Sequence, residues 1–287
     1  RGILSMSAAM ACFIVNDALV KYTSQTMPVA QLICVRSIMA SMFVLAVAHA
    51  TGATARIGDI MRRRVATRGF IDAIASLMYV FSLFHLPIAN ATAINMTSPL
   101  FITLLAVLVL GEQVDWRRWL AVGAGFAGVL LVIQPQAGGF NIYALLCLAA
   151  TALYAVRDLM TRRIAVTVPA ILITLATAIA AAILSGIVSL IEGWRPFGWY
   201  ELGRLALAAV FLAAAYYLVI DGMRYGEVSV TAPFRYTALL WALVGGFAVW
   251  GDVPDALAGC GIALLIGSGL YVLHSERRRI ATNILRT

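Results

Sequence analysis

Ionisable side chains fall inside otherwise apolar stretches of this chain at Asp17, Arg36, Asp72, Arg157, Asp158, Asp221 and Arg235. A charge at the centre of an inserted helix costs roughly 2.5–3.5 kcal/mol, so each of these needs a partner or a task. The chemistry they offer is the holding of a charged or dipolar group. Bond-making chemistry has no comparable support. The histidines His49, His85 and His274 form no HExxH set, the cysteines Cys12, Cys34, Cys147 and Cys260 show no CxxC spacing, and there is no GxSxG elbow. The cysteines read as small buried hydrophobes. The only lysine, Lys21, stands in Leu19-Val20-Lys21-Tyr22, so the chain has no P-loop and no nucleotide-driven engine of its own. We expect no metal, no cofactor and no enzyme activity.

Two proline-bearing segments stand out. Asn95-Met96-Thr97-Ser98-Pro99 and Ala232-Pro233-Phe234-Arg235-Tyr236-Thr237 each place polar groups beside a residue that lacks a backbone donor. Within a membrane such a break is tolerated where side chains or cavity water satisfy the freed carbonyl. Met78, Ser82 and His85 share a helical stripe beside Tyr79, and Tyr154 lies one turn before Arg157 and Asp158. Tyr216 and Tyr217 add further phenols. A pocket of this kind accepts an apolar side chain while a few polar groups hold a charged end. Arg157 and Asp158 are consecutive and are expected to point in different directions.

The elements that must position these residues follow from hydropathy. Of 287 residues 62% are hydrophobic and 12% charged, against about 45–50% apolar and about 25% charged in soluble domains. Such an exterior fits lipid, and we predict an all-α integral membrane protein. Apolar runs long enough to span the bilayer number about ten. They are Ile3–Lys21, Ala30–Ala50, Gly69–Phe84, Ala89–Leu110, Trp119–Gln134, Ile142–Met160, Pro169–Ile191, Leu205–Ile220, Val228–Trp250 and Ala256–His274. The first run lacks a small-residue cleavage site and is expected to be a retained helix. Trp116, Trp119, Trp194, Trp199 and Trp250 fit headgroup anchors. The net charge of +8 is scattered between runs, which argues against nucleic acid.

Orientation follows from the arginines, since short basic loops stay on the cytoplasmic side. With a cytoplasmic N-terminus, the inner segments hold Arg56, Arg62, Arg63, Arg64, Arg68, Arg117, Arg118, Arg162, Arg163, Arg224 and the arginines from 277 onward. The outer ones hold only Lys21, Arg195 and Arg204. Both termini are therefore expected inside. Asp17, near the outer end of the first run, and Arg36, near the outer start of the second, should meet as a pair. Asp72 and Asp221, near inner ends, are expected to be solvated or paired.

The two halves resemble one another. Asp17 and Pro28 recur as Asp158 and Pro169, Gly111-Glu112 as Gly251-Asp252, and Gly123-Ala124-Gly125 as Gly259-Cys260-Gly261. Five runs per half is an odd number, so the second half enters the membrane inverted, as in many secondary transporters. We read residues 1–135 and 141–275 as two inverted five-helix repeats and 276–287 as a basic cytoplasmic tail. Gly111-Glu112 and Gly251-Asp252 sit at run ends, where a carboxylate can cap the following helix. Ala121, Gly125 and Gly128, with Gly259, Gly261, Gly267 and Gly269, should let the fifth and tenth runs approach their neighbours closely.

The stretch from Pro99 to Gly111-Glu112, followed by the Gly123, Gly125 and Gly128 helix, resembles the EamA family of the drug/metabolite transporter superfamily, and Arg36 fits it. Within that family the chain looks most similar to YddG-type bacterial amino-acid exporters. The resemblance implies a multi-pass protein of the bacterial cytoplasmic membrane, functional as a monomer, exporting amino acids, aromatic ones included, by alternating access. Another metabolite, such as a nucleotide-sugar, a vitamin or an S-adenosylmethionine-like solute, is the alternative. It also implies a central cavity formed by the first, third, fourth, sixth, eighth and ninth runs. We therefore expect Met78, Tyr79, Ser82, Asn95, Ser98, Tyr154, Arg157, Asp158, Tyr217, Arg235 and Tyr236 to bind substrate, and Asp17, Arg36, Pro99 and Pro233 to serve structure or gating.

Overall fold

The computed structural model describes residues 2–110, 116–134, 141–161, 164, 167–225 and 232–284, and among these the chain is helical with no strand. The helices are α1 (Gly2–Thr23), α2 (Val29–Ala50), α3 (Arg63–Leu83), α4 (Ile88–Asn95), α5 (Ser98–Leu110), α6 (Trp116–Ile133), α7 (Ile142–Thr161), α8 (Ala170–Glu192), α9 (Trp199–Tyr225), α10 (Thr237–Trp250) and α11 (Ala256–Ile284). Two 3₁₀ segments, Ala53–Met61 and Ala232–Tyr236, lie between them.

Among the described residues, seven stretches are long and apolar enough to cross a membrane: α1, α2, α3, α7, α8, Ile88–Leu105 across α4 and α5, and Trp199–Val219 of α9. Trp119–Ile133, Phe234–Trp250 and Ala256–Val272 are apolar but shorter. Proline sets several starts. Pro28, Pro87 and Pro169 stand just before α2, α4 and α8, where the missing N–H removes no helical bond. Gly251 ends α10 with φ 70°, a left-handed stop that favours glycine. The carboxylate that caps α11 is Asp255, whose Oδ1 accepts from the Ala258 N–H at 2.8 Å. It is not the expected Asp252. Gly111-Glu112 lies outside the described residues.

Other differences from the sequence reading have local causes. The fourth run is broken into α4 and α5 at Met96-Thr97, and the described part of the ninth holds a 3₁₀ turn at Ala232–Tyr236 before α10. The last run continues as helix to Ile284, where a tail had been expected. Between α2 and α3 the chain forms a 3₁₀ segment held by buried Asp59, which pairs with Arg56 at 3.2 Å and Arg62 at 2.8 Å.

The main pairings are α1 with α9, α2 with α8, α3 with α7 and α8, α4 with α10, and α6 with α11. Counting each half from its own start, exchange of the halves turns α1–α9 into α7–α3 and α3–α8 into α9–α2, while α2–α8 and α6–α11 map onto themselves. The helices α6 and α11 approach closely. A Cβ on Gly128 would stand 2.8 Å from the Gly261 carbonyl, and one on Gly261 would stand 2.6 Å from the Gly128 carbonyl. Small residues let these backbones meet. On the outside, Ile183, Ile187, Leu190 and Ile191 form an exposed stripe along α8, spaced as one helical face.

Candidate functional site

Pro99 has no N–H to offer the Asn95 carbonyl, and the chain resolves this by ending one helix and starting another. The Met96 N–H bonds the Thr92 carbonyl at 2.9 Å, the Thr97 N–H bonds Ile94 at 3.0 Å, and Thr97 Oγ1 donates to the same Ile94 carbonyl at 2.7 Å. α5 restarts with the Leu100 N–H on the Thr97 carbonyl at 2.8 Å. The break places Asn95, Met96, Ser98 and Pro99 on the wall of a central cavity of about 490 Å³. The second 3₁₀ segment places Arg235 and Tyr236 on the same cavity. The Tyr236 ring packs against Gly269 of α11, where a side chain would collide with it, and its buried hydroxyl has no hydrogen-bond partner among the described residues.

Apart from Arg235, the charges lining this cavity fall into two clusters. The first joins α3 and α7. Arg157 reaches Asp72 at 2.7 Å and Asp158 at 2.8 Å, and Arg68 reaches the other Asp72 oxygen at 3.4 Å. Arg68 also donates to Thr161 at 3.0 Å and Thr177 at 2.6 Å. Asp72 is buried and paired, one of the two states expected for it. The consecutive Arg157 and Asp158 do neutralise one another, because the long guanidinium stem folds back to its neighbour. Arg157 also lies 4.7 Å over the Tyr154 ring, and the Tyr154 hydroxyl donates to Ser76 at 3.2 Å.

The second cluster joins α1, α2 and α3. Asn16 donates to Asp17 at 2.9 Å, Arg36 donates to the Asn16 carbonyl oxygen at 3.3 Å, and Tyr79 donates its hydroxyl to Asp17 at 3.0 Å. Asp17 and Arg36 were expected to pair directly. They are joined instead through the Asn16 amide. Arg235 lies exposed on the cavity.

Tyr79, Asn95, Ser98, Tyr154, Arg157, Asp158, Arg235 and Tyr236 thus share one cavity with Asp17, Arg36 and Pro99. Met78, Ser82 and Tyr217 lie off it. Ser82 is fully buried and bonds the Met78 carbonyl at 2.8 Å, and Met78 packs into the apolar core. Tyr217 is 68% exposed on the outside, while Tyr216 turns inward, edge-on to Phe13 at 5.4 Å. One residue is a 100° rotation on a helix, which separates both Tyr216 from Tyr217 and Tyr79 from Met78. His85 stacks on Tyr143 at 3.7 Å. The side chains of Pro233 and Asp221 lie outside the described residues.

Asn16, Arg68, Ser76, Thr92 and Thr177 line the cavity without having been expected there. Arg68 had read only as an inner-loop charge, and α2 and α8 were missing from the implied wall. Asn16 carried a usable signal, as an amide beside a carboxylate in an apolar run. A second, open recess of about 640 Å³, bounded by Pro87, Gln134, Asn141, Gly251 and Asp255, lies apart from these clusters.

The EamA-like transporter family matches residues 1–134 and again residues 141–273. An S-adenosylmethionine uptake transporter of Rickettsia bellii is 25% identical over 217 residues, covering 76% of this chain and 74% of its own. A riboflavin transporter of Brucella anthropi is 30% identical, covering 69% of this chain and 72% of its own. The pseudopaline exporter CntI of Pseudomonas aeruginosa is 26% identical over 283 residues, 96% of this chain and 97% of its own. A solved crystal structure shares the fold with a TM-score of 0.65 at 19% identity, over 95% of this chain and 98% of that one.

Proposed function

Because the chain belongs to the EamA-like transporter family, we propose that it is a secondary transporter that exports amino acids, or metabolites bearing an amino-acid group, by alternating access through the central cavity. A multi-pass small-molecule transporter is the coarse identity that family membership carries, and the cargo is read from the cavity. At about 490 Å³ it lies within the about 300–1,000 Å³ usual for small-molecule sites. The observation that carries the reading is the composition of its wall. Aromatic rings from Phe13, Tyr79, Tyr154 and Tyr216 stand beside a carboxylate, Asp17, and a guanidinium, Arg36. Apolar surface with both signs of charge suits a solute that is itself apolar at one end and dipolar at the other.

Names of relatives support the class. S-adenosylmethionine combines an aromatic base with an amino-acid group. The relative aligned along nearly the whole of both chains is named an exporter, which supports outward movement. The same reading takes the seven long and three shorter apolar stretches as ten spans of a bacterial inner-membrane protein, in two inverted repeats with both termini cytoplasmic. Solute or ion gradients supply the energy, as the sequence holds no P-loop.

Proteoliposomes loaded with labelled phenylalanine, methionine, S-adenosylmethionine or riboflavin test this. Efflux of at least one amino-acid-bearing solute should exceed that from protein-free vesicles. Acceleration of riboflavin alone, or of nothing, would overturn the reading.

A further inference from the structure

We infer that Asn16 is a charge separator that holds Asp17 and Arg36 apart as the two poles of a zwitterion site, Asp17 for an ammonium group and Arg36 for a carboxylate. The inference rests on the transport reading above and names the part of the solute that the cavity recognises.

An aspartate and an arginine on adjacent helices in a low-dielectric interior would ordinarily close on each other, since attraction between opposite charges grows as the dielectric falls. Here they do not. The Asn16 amide stands between them, its NH₂ on Asp17 at 2.9 Å and its oxygen receiving Arg36 at 3.3 Å. An amide is the side chain suited to that place, because it offers a donor to the anion and an acceptor to the cation at once. Asn16 is itself 2% exposed and lines the cavity.

Both poles keep unused capacity. Arg36 is 7% exposed, yet its Nε has no hydrogen-bond partner among the described residues. A guanidinium carries five N–H donors in a planar fork, and its best complement is a carboxylate taken on two of them. Asp17 accepts from Asn16 and from the Tyr79 hydroxyl, while a carboxylate offers about four acceptor sites. The remaining sites are open to an ammonium group. The Tyr79 and Tyr154 rings, 6.3 Å apart, stand beside this pole.

The other charges on the wall do not compete for this role. Arg68 and Arg157 are already matched by Asp72 and Asp158. Arg235 is exposed and has no carboxylate partner among the described residues. Among the described residues, only the Asp17–Asn16–Arg36 line presents both signs held apart, Arg36 buried and Asp17 half-buried. A direct ion pair would have to be broken before a zwitterion could enter. The amide's weaker bonds are exchanged for the ligand's.

The test measures binding to the purified protein in nanodiscs. The parent is whichever of phenylalanine, methionine and S-adenosylmethionine the wild type binds best, compared with its methyl ester, which lacks the carboxylate, and its N-acetyl form, which lacks the ammonium. Wild type should prefer the parent over each derivative by about tenfold or more, the scale of a lost charge-assisted hydrogen bond. Asp17→Asn should abolish the preference over the N-acetyl form and keep that over the ester. Arg36→Gln should do the reverse, and Arg36→Lys gives a second reading if the first variant folds poorly. Asn16→Ala should let the poles pair, lowering affinity for the parent about tenfold without lowering the melting temperature. A merely structural asparagine would lower both.

Asp17 and Arg36 variants that shift the two preferences equally or not at all would overturn the inference, as would an Asn16→Ala protein of unchanged affinity. Binding of no amino-acid parent by the wild type would overturn the transport reading as well, so the two failures are distinguishable.

Discussion

Tyr216 and Tyr217 are neighbours of the same type, and the cavity separates them: one ring faces Phe13 inside, the other is 68% exposed. Tyr216→Ala should weaken solute binding about tenfold, by loss of an aromatic wall and its edge-on contact. Tyr217→Ala should leave affinity unchanged, and the same nanodisc binding assay checks both. Nothing in two adjacent tyrosines says which one points inward, because that depends on the rotation of α9 against α1. Asp72 shows another limit of this scale. Its partners Arg68 and Arg157 come from its own helix and from α7, and only Arg68 is near in sequence. Asp72→Asn leaves the half-buried Arg68 without its carboxylate and Arg157 with Asp158 alone, and should cost up to about 3 kcal/mol, read as a fall in melting temperature in detergent. Replacing Asp72 and Arg157 together by apolar residues should recover part of that loss.

Among the elements, the discontinuous α4–α5 segment was legible because proline cannot donate to the carbonyl four residues before it, wherever the segment lies in the fold. The glycines of α6 and α11 were legible as a class of contact but not as a pair. That Gly128 faces Gly261 is a property of how the two helices cross. Gly261→Val should destabilise the bundle by about 1–3 kcal/mol through overpacking, whereas Gly123→Ala, whose added carbon would meet nothing within 4 Å, should leave the melting temperature nearly unchanged. The Ala53–Met61 segment went unread since its 3₁₀ turns depend on Asp59 being buried between Arg56 and Arg62.

For the whole molecule, the proposed transport cycle requires that one end of the bundle open while the other is closed. Lys21, the sole lysine, donates to the Leu86 carbonyl at 2.6 Å and lies 5.1 Å from the Trp250 ring. It thereby ties the end of α1 to the turn before α4 and to the end of α10. Lys21→Met should loosen that end, and a cysteine introduced at Asn95, in a background lacking the native cysteines, should then react faster with a membrane-impermeant maleimide. An unchanged rate would show that Lys21 does not hold the cavity shut. The sequence by itself determined that the chain is helical and strongly apolar, that its halves are related, and that proline breaks the fourth run, since these follow from composition, local backbone chemistry and order along the chain. Which charges share a cluster, which tyrosine lines the cavity, and that Asn16 rather than a direct ion pair joins Asp17 to Arg36 were decided only by tertiary structure. Those outcomes rest on the rotation and depth of one helix against another, set by packing among residues far apart in sequence.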